Sequence, residues 1–186
     1  MILAAGASTR MGRAKALLPW RGSPFVAHTV RLAAAAGCEP VVVVAGAAAL
    51  PPEATESSTV VLNHDWARGQ MSSLKTGVDA VPPGIAVMVL TVDRPHIRPQ
   101  TVAALAAAAA QRPHAVWQPE FGTKRGHPVI LPADLVQAVR DAPAESTLRD
   151  IVRHPEVIPR RRGLPCEDPA VLDNLDRPSD LERLPD

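Results

Sequence analysis

Short, unbroken apolar runs alternate along this chain with longer stretches patterned as helices, and that alternation limits the fold more than any other feature. The runs lie at 2–4, 41–45, 60–62 and 86–92, with shorter extended pieces at 115–118 and 129–131 and a last one at 171–173. Helical patterning occupies 25–36, 72–81, 101–111, 133–140 and 146–153, with a terminal turn at 178–184. A strand with no polar residue on either face, such as 41–45, has to be covered on both sides, which parallel sheets achieve with crossover helices. The spacing therefore predicts a three-layer α/β/α sandwich around a mostly parallel, Rossmann-like sheet. Pro24 and Gly37 bracket the first helix as N-terminal proline and C-terminal glycine do. Residues 121–126 read as an exposed hairpin or excursion. No repeat or linker interrupts the pattern, so residues 1–186 are expected to form one domain. The first run is short for a buried strand, and a few residues are expected before Met1 if the start was assigned late.

Composition removes several function classes. Lys and Arg number 20 against 19 Asp and Glu, a net charge of +1, with no Tyr, two Phe and three Trp. That is neither the cationic surplus nor the stacking platform of a nucleic-acid binder. Prolines number 20, about twice the usual ~5%, but they are scattered among apolar runs and do not indicate disorder. Cys38 and Cys166 have neither disulfide-framework nor zinc-ligand spacing. No run approaches the ~20 apolar residues of a membrane span, and the N-terminus lacks signal-peptide architecture. The expectation is a cytoplasmic protein with no nucleic-acid or membrane partner.

In open α/β sheets ligands bind outside the carboxyl ends of the strands, so function is sought in the segments that follow them. Three qualify: 5–15, 93–96 and 174–176. The first reads Leu3-Ala4-Ala5-Gly6-Ala7-Ser8-Thr9-Arg10-Met11-Gly12-Arg13-Ala14-Lys15. Gly6 and Gly12 permit positive φ and close backbone approach, Arg10 offers a bidentate fork and Lys15 a mobile charge. Neither GxxxxGK[ST] nor GxGxxG fits, because the first requires Lys directly after the second Gly, where Arg13 follows Gly12, and the second requires Gly at position 8, which is Ser8. On the residues alone, a phosphate loop and a merely solvated turn stand level.

The segment closely resembles the nucleotide-binding signature of the MobA-like nucleotidyltransferases, especially their molybdenum cofactor cytidylyltransferase branch. The resemblance continues through Leu17-Leu18-Pro19, Asn63 to Leu74, Val92-Asp93-Arg94-Pro95, Arg125-Gly126-His127-Pro128, and Asn174 to Leu181, in the family's order. It implies a sheet of the nucleotide-diphospho-sugar transferase type. It also places Leu3, Ala4, Ala5 and Gly6 against a nucleotide, with Gly12 in the same loop and Arg10 and Lys15 on its β- and γ-phosphates. Asn63, Ser72 and Ser73 would approach the ribose or base, with helix capping as the alternative for the serines. Asp93 would be a Mg²⁺ ligand, since a carboxylate ending an apolar strand needs a partner. A salt bridge to Arg94 ranks second, because neighbouring side chains leave a strand end in different directions. Arg94 itself departs from the Gln or Met common in close relatives. Either Asn174 or Asp176 would supply the second ligand, Asn174 being preferred while Asp176 caps the last turn. His127 would face the acceptor.

The activity so implied is Mg²⁺-dependent transfer of CMP, less readily GMP, from a nucleoside triphosphate to a phosphorylated small-molecule acceptor, molybdopterin or its metal-loaded form. Ala5 favours CTP, and a molybdoenzyme or its chaperone would be a downstream partner. The alternatives are a sugar-phosphate acceptor, an NAD(P)-dependent oxidoreductase, and a silent cofactor carrier. No ribose-binding acid follows the second strand, where Ala45-Gly46 stand, which argues against the oxidoreductase. The basic stretch Arg149, Arg153, His154, Arg160, Arg161, Arg162 reads as solvated surface diluted by Asp150, Glu156 and Glu167.

Overall fold

In the computed structural model, which describes residues 1–185, the apolar runs form the centre of one mixed sheet. Strands β1 (Ile2–Leu3), β4 (Val42–Ala45), β5 (Thr59–Leu62) and β6 (Val87–Thr91) are parallel, with β1 between β4 and β6. Beyond β6 lie β9 (Val129–Leu131), antiparallel to it, then β7 (Val116–Phe121) and, on the edge, β10 (Arg161–Pro165). The excursion at 121–126 is a hairpin, its returning strand β8 (Lys124–Arg125) pairing with β7. A second hairpin, β2 (Pro19–Trp20) and β3 (Ser23–Pro24), turns on Arg21 and Gly22, both at positive φ, as a two-residue primed turn requires.

Successive residues of a strand face opposite ways, and the sheet uses this to feed two cores. Val43, Met88 and Leu90 pack beneath α1 (Phe25–Ala35) and α3 (Pro99–Gln111). Val42, Val44, Val87 and Val89 pack beneath α2 (Gln70–Asp79), α4 (Ala133–Asp141) and α5 (Leu148–Val152). This is the three-layer α/β fold expected, with the sheet mostly parallel.

Two expectations fail. The run at 171–173 is not a strand. Asp168 accepts from the Ala170 amide, with Pro169 at the first position, and the chain closes into a 3₁₀ turn over Pro169–Val171. Local capping wins over a short apolar run there. Conversely β10 was not expected, because Arg161-Arg162-Gly163-Leu164-Pro165 has no apolar period. As an edge strand it takes its stability from main-chain pairing with β7.

A third, small cluster positions the chemistry. Met11, Leu18, Phe25 and Leu175 are buried together, which ties the loop after β1 to the segment 174–176 more than a hundred and fifty residues later. The Leu175 amide also donates to the Asp93 carbonyl at 2.9 Å. Two loops and one strand end are thereby drawn to the same edge of the sheet.

Candidate nucleotide-binding site

At that edge lies a cleft of about 400 Å³. Leu3, Ala4, Ala5 and Gly6 line it, together with the charged side chains of Arg10, Lys15, Asp93 and Asp176. Ser73 lines it from α2, beside Trp66, Ala67, Gly69 and Gln70. The loop turns through Ser8 (φ 54°) and Gly12 (φ 74°), and the Ser8 hydroxyl accepts from the Lys15 amide at 3.1 Å. Gly12 thus shapes the loop from outside the lining. Gly6 needs no positive φ, and a Cβ there would meet nothing within 4 Å, so its smallness keeps the cleft open.

Asp176 is the hub. Lys15 donates to its Oδ1, Arg10 lies 3.0 Å from Oδ2, and the Asn174 amide donates to Oδ2 at 2.7 Å. Burial alone would raise this carboxyl, but the hydrogen bond and charge of Lys15, with the charge of Arg10, outweigh it and hold it below the usual carboxylate range. The capping role expected of Asp176 belongs to Asp180, whose carboxylate accepts from the Asp176 and Arg177 amides. Asn174 does not line the cleft. It spends its amide on orienting Asp176.

The ranking of the Asp93 contacts is corrected. β6 ends at Thr91, not at 92, and a turn follows in which the Arg94 amide approaches the Thr91 carbonyl. The two side chains therefore leave on one side. Arg94 donates to Asp93 Oδ1 and to Thr91 Oγ1, each at 2.9 Å, and the Thr91 hydroxyl also donates to Asp93.

Asn63 is buried behind the α2 wall. Its amide donates to the hydroxyls of Ser72 (2.9 Å) and Ser73 (3.0 Å), and its carbonyl accepts from the Asp65 amide. Helix α2 starts at Gln70 after Gly69, so neither serine caps it. Ser72 donates to loop carbonyls, while Ser73 reaches the cleft. Trp66, the aromatic side chain of the lining, carried no signal in the sequence beyond its place in the Asn63 to Leu74 segment.

Next to this cleft, sharing Gln70 as a wall, is a larger cavity of about 1080 Å³. His127 lines it, together with Arg94 and five further cations. Gly126 lets the His127 loop dock, because a Cβ there would stand 2.2 Å from the Val171 carbonyl oxygen, which accepts from the His127 amide. Burial, then the charge of Arg94, pushes the imidazole down to about 4. It is neutral at physiological pH.

Among the described residues no three His, Cys, Asp or Glu side chains converge as a metal cage. The cleft offers two carboxylates, Asp93 and Asp176, which suits a hard ion whose remaining positions are filled by phosphate oxygens and water.

Fold and cleft define an α/β protein with a charged site at one edge of its mostly parallel sheet. The profile of the MobA-like NTP transferase domain matches residues 1–160, and the chain belongs to this nucleotidyltransferase family. A nicotine blue oxidoreductase from Paenarthrobacter nicotinovorans is 35% identical over 150 residues, 75% of this chain and 72% of that one. A 2-C-methyl-D-erythritol 4-phosphate cytidylyltransferase from Streptomyces avermitilis is 29% identical over 175 residues, 84% of this chain and 63% of that one. In structure, Rv0371c from Mycobacterium tuberculosis superposes with a TM-score of 0.79 at 24% identity, covering 98% of this chain and 93% of that one. Its complex with manganese gives 0.75 at 23%, over 98% and 95%. No helix of the described residues is long and apolar enough to cross a membrane.

Proposed function

We propose that this protein transfers CMP, with GMP as the less favoured donor, from a nucleoside triphosphate to a phosphorylated acceptor in a Mg²⁺-dependent reaction that releases pyrophosphate. The acceptor proposed is molybdopterin or its molybdenum-loaded form, for delivery to a molybdoenzyme or its chaperone. The observation that carries this reading is the convergence of Arg10, Lys15, Asp93 and Asp176 on one cleft beside a cationic cavity. The cytidylyltransferase relative and the small Ala5 in the lining support CTP.

Asp93 and Asp176 would hold the ion, and the manganese complex of the mycobacterial neighbour supports a divalent metal. Once bound, the ion offsets the charge gathering on the phosphates. Arg10 and Lys15 exchange the Asp176 carboxylate for the β- and γ-phosphates, where negative charge grows as pyrophosphate leaves. Asn63 holds Ser73 towards the sugar and base. No side chain needs to act as general base, because a phosphate monoester is already an anionic nucleophile; positioning and charge neutralisation suffice. His127, neutral, is suited to a hydrogen bond with the acceptor rather than to proton transfer.

The assay is pyrophosphate release from CTP and from GTP with Mg²⁺ and molybdopterin. Release with CTP, abolished by omitting either molybdopterin or Mg²⁺, is expected; release unaffected by molybdopterin contradicts the acceptor assignment. The Paenarthrobacter relative's name favours a second reading, redox chemistry with NAD(P)H. Against it, a Cβ at Gly46 would stand 2.7 Å from the Ala5 carbonyl oxygen, so no acidic side chain fits where a dinucleotide's ribose is usually held.

A further inference from the structure

The cavity beside the nucleotide cleft carries more positive charge than one reacting phosphate needs. Arg94, Lys124, Arg125, Arg149, Arg153 and Arg161 line it, against a single lining carboxylate, Glu120. Arg94 is paired with Asp93 and Arg125 with Glu120, while the other four have no ion-pair partner among the described residues. Neighbouring acids do not dilute this charge as the sequence suggested. Asp150 is consumed in capping α5 through the Thr147 amide and hydroxyl, and neither Glu156 nor Glu167 lines the cavity. Arg160 turns away to a bidentate pair with Asp134 at 2.6 and 2.8 Å.

Arg161 is the most constrained of the four. It stands on the edge strand β10, donates Nη2 to the buried Gln118 at 3.1 Å, and keeps Nε sealed from water with no partner. Gln118 in turn donates to the Gly126 carbonyl at 3.1 Å, so the guanidinium is held in register with the His127 loop. His127 Nδ1 and Arg94 Nε are likewise sealed and unpartnered. Buried polar atoms without partners are rare and costly, and two of these are guanidinium N–H groups, on Arg94 and Arg161, of a cavity whose lining is cationic, which suits an acceptor-rich, anionic ligand. The two ends differ: Arg94 and His127 are next to Asp93, whereas Arg161 is reached through Gln118 along β7 and β10.

We propose that the β7–β10 end of the cavity is a second anion subsite, with Arg161 as its specificity-determining residue. The acceptor then belongs to the class of small molecules carrying two separate anionic groups, one that attacks at the Asp93 end and one that does not react. This rests on the transferase reading above and extends it to acceptor selection.

The probes are α,ω-alkanediol bisphosphates of graded length, compared with the matching alkyl monophosphates. They are titrated calorimetrically into the full chain, with and without Mg²⁺ and α,β-methylene-CTP. In the wild type the best bisphosphate is expected to bind about tenfold or more tightly than its monophosphate, the effect of one charge-assisted contact. Arg161→Gln should erase that preference, and Arg161→Lys should restore part of it. No preference in the wild type, or one kept in Arg161→Gln, overturns the proposal. If Arg161→Gln does not fold, the exposed Lys124→Gln/Arg153→Gln double variant carries the test, and an undiminished preference there overturns it too. Absence of α,β-methylene-CTP binding would count against the transferase reading instead, while the bisphosphate preference in nucleotide-free protein still judges the subsite.

Discussion

The two anion-binding regions of this molecule handle charge in opposite ways. In the nucleotide cleft every charged group is already paired: Lys15 and Arg10 with Asp176, Arg94 with Asp93. In the adjoining cavity Lys124, Arg149, Arg153 and Arg161 are unpaired among the described residues, and three side-chain nitrogens, of Arg94, His127 and Arg161, are buried without a partner. A self-neutralised cleft admits a ligand only by exchange, so a metal and a triphosphate must arrive as a set that satisfies both signs at once. A cavity with standing positive charge needs no such exchange and selects by the number and spacing of anionic groups. The same +1 chain thus concentrates its excess in one place.

The sharpest way to break this comparison is Asp93→Ala. It removes a proposed metal ligand and frees Arg94 into the cleft, and turnover should fall by about a hundredfold to a thousandfold, the scale of losing a group that stabilises transition-state charge. Because Asp93 is paired, not isolated, its removal is not expected to stabilise the apo-protein; the melting temperature should be level or slightly lower. Full turnover at wild-type Mg²⁺ dependence would return Asp93 to a purely structural ion pair. Lys15→Ala comes next, with roughly ten- to a hundredfold lost in kcat for one charge-assisted contact and a smaller change in nucleotide affinity. Equal losses in both would mean that the ammonium binds without favouring the transition state.

Stability offers a third handle, confined to the cavity. Folded His127 stays neutral down to about pH 4, whereas the unfolded chain protonates it near 6.5. The unfolded state therefore binds more protons in between, and stability present above about pH 6.5 is lost as pH falls towards 4. The drop attributable to this group is about 3 kcal/mol at most. Denaturation of wild type and His127→Gln across that window should show a shallower slope in the variant; parallel slopes would place the proton uptake elsewhere. The smallest effect expected on chemistry is that of Leu175→Ala, which costs about 2–5 kcal/mol of stability. Where the variant is folded it should weaken nucleotide binding through displacement of Asp176, and unaltered binding would detach the small cluster from the site.

The central sheet was legible because strands covered on both faces have no polar residues to confuse the pattern, as at Val42–Ala45. The cleft residues Leu3 to Gly6, Arg10, Lys15 and Asp93 are legible through resemblance to the family signature, because on the residues alone a phosphate loop and a solvated turn stand level; that reading makes Asp176 the cap of the last turn and prefers Asn174 as the ligand. What escaped depends on contacts that no local pattern encodes. β10 is an edge strand held by main-chain bonds, so its two arginines looked like solvated surface. The Asp93–Arg94 pair depended on a strand ending one residue early. The division of labour between Asn174 and Asp176 is decided by Leu175, buried between them against Met11, Leu18 and Phe25, a contact across the whole chain.

Ligand-induced thermal shift tests the central claim most directly, with CTP, GTP, ATP, UTP, NADH and NADPH each measured with and without Mg²⁺. A ligand at about 100 times its Kd stabilises the folded state by ~2.7 kcal/mol, well within reach of the method. The paired charges of the cleft predict that CTP raises the melting temperature only when Mg²⁺ accompanies it, that GTP does so less, and that the nicotinamide dinucleotides do nothing. Stabilisation by NADH or NADPH, with none by any nucleoside triphosphate, would contradict the account.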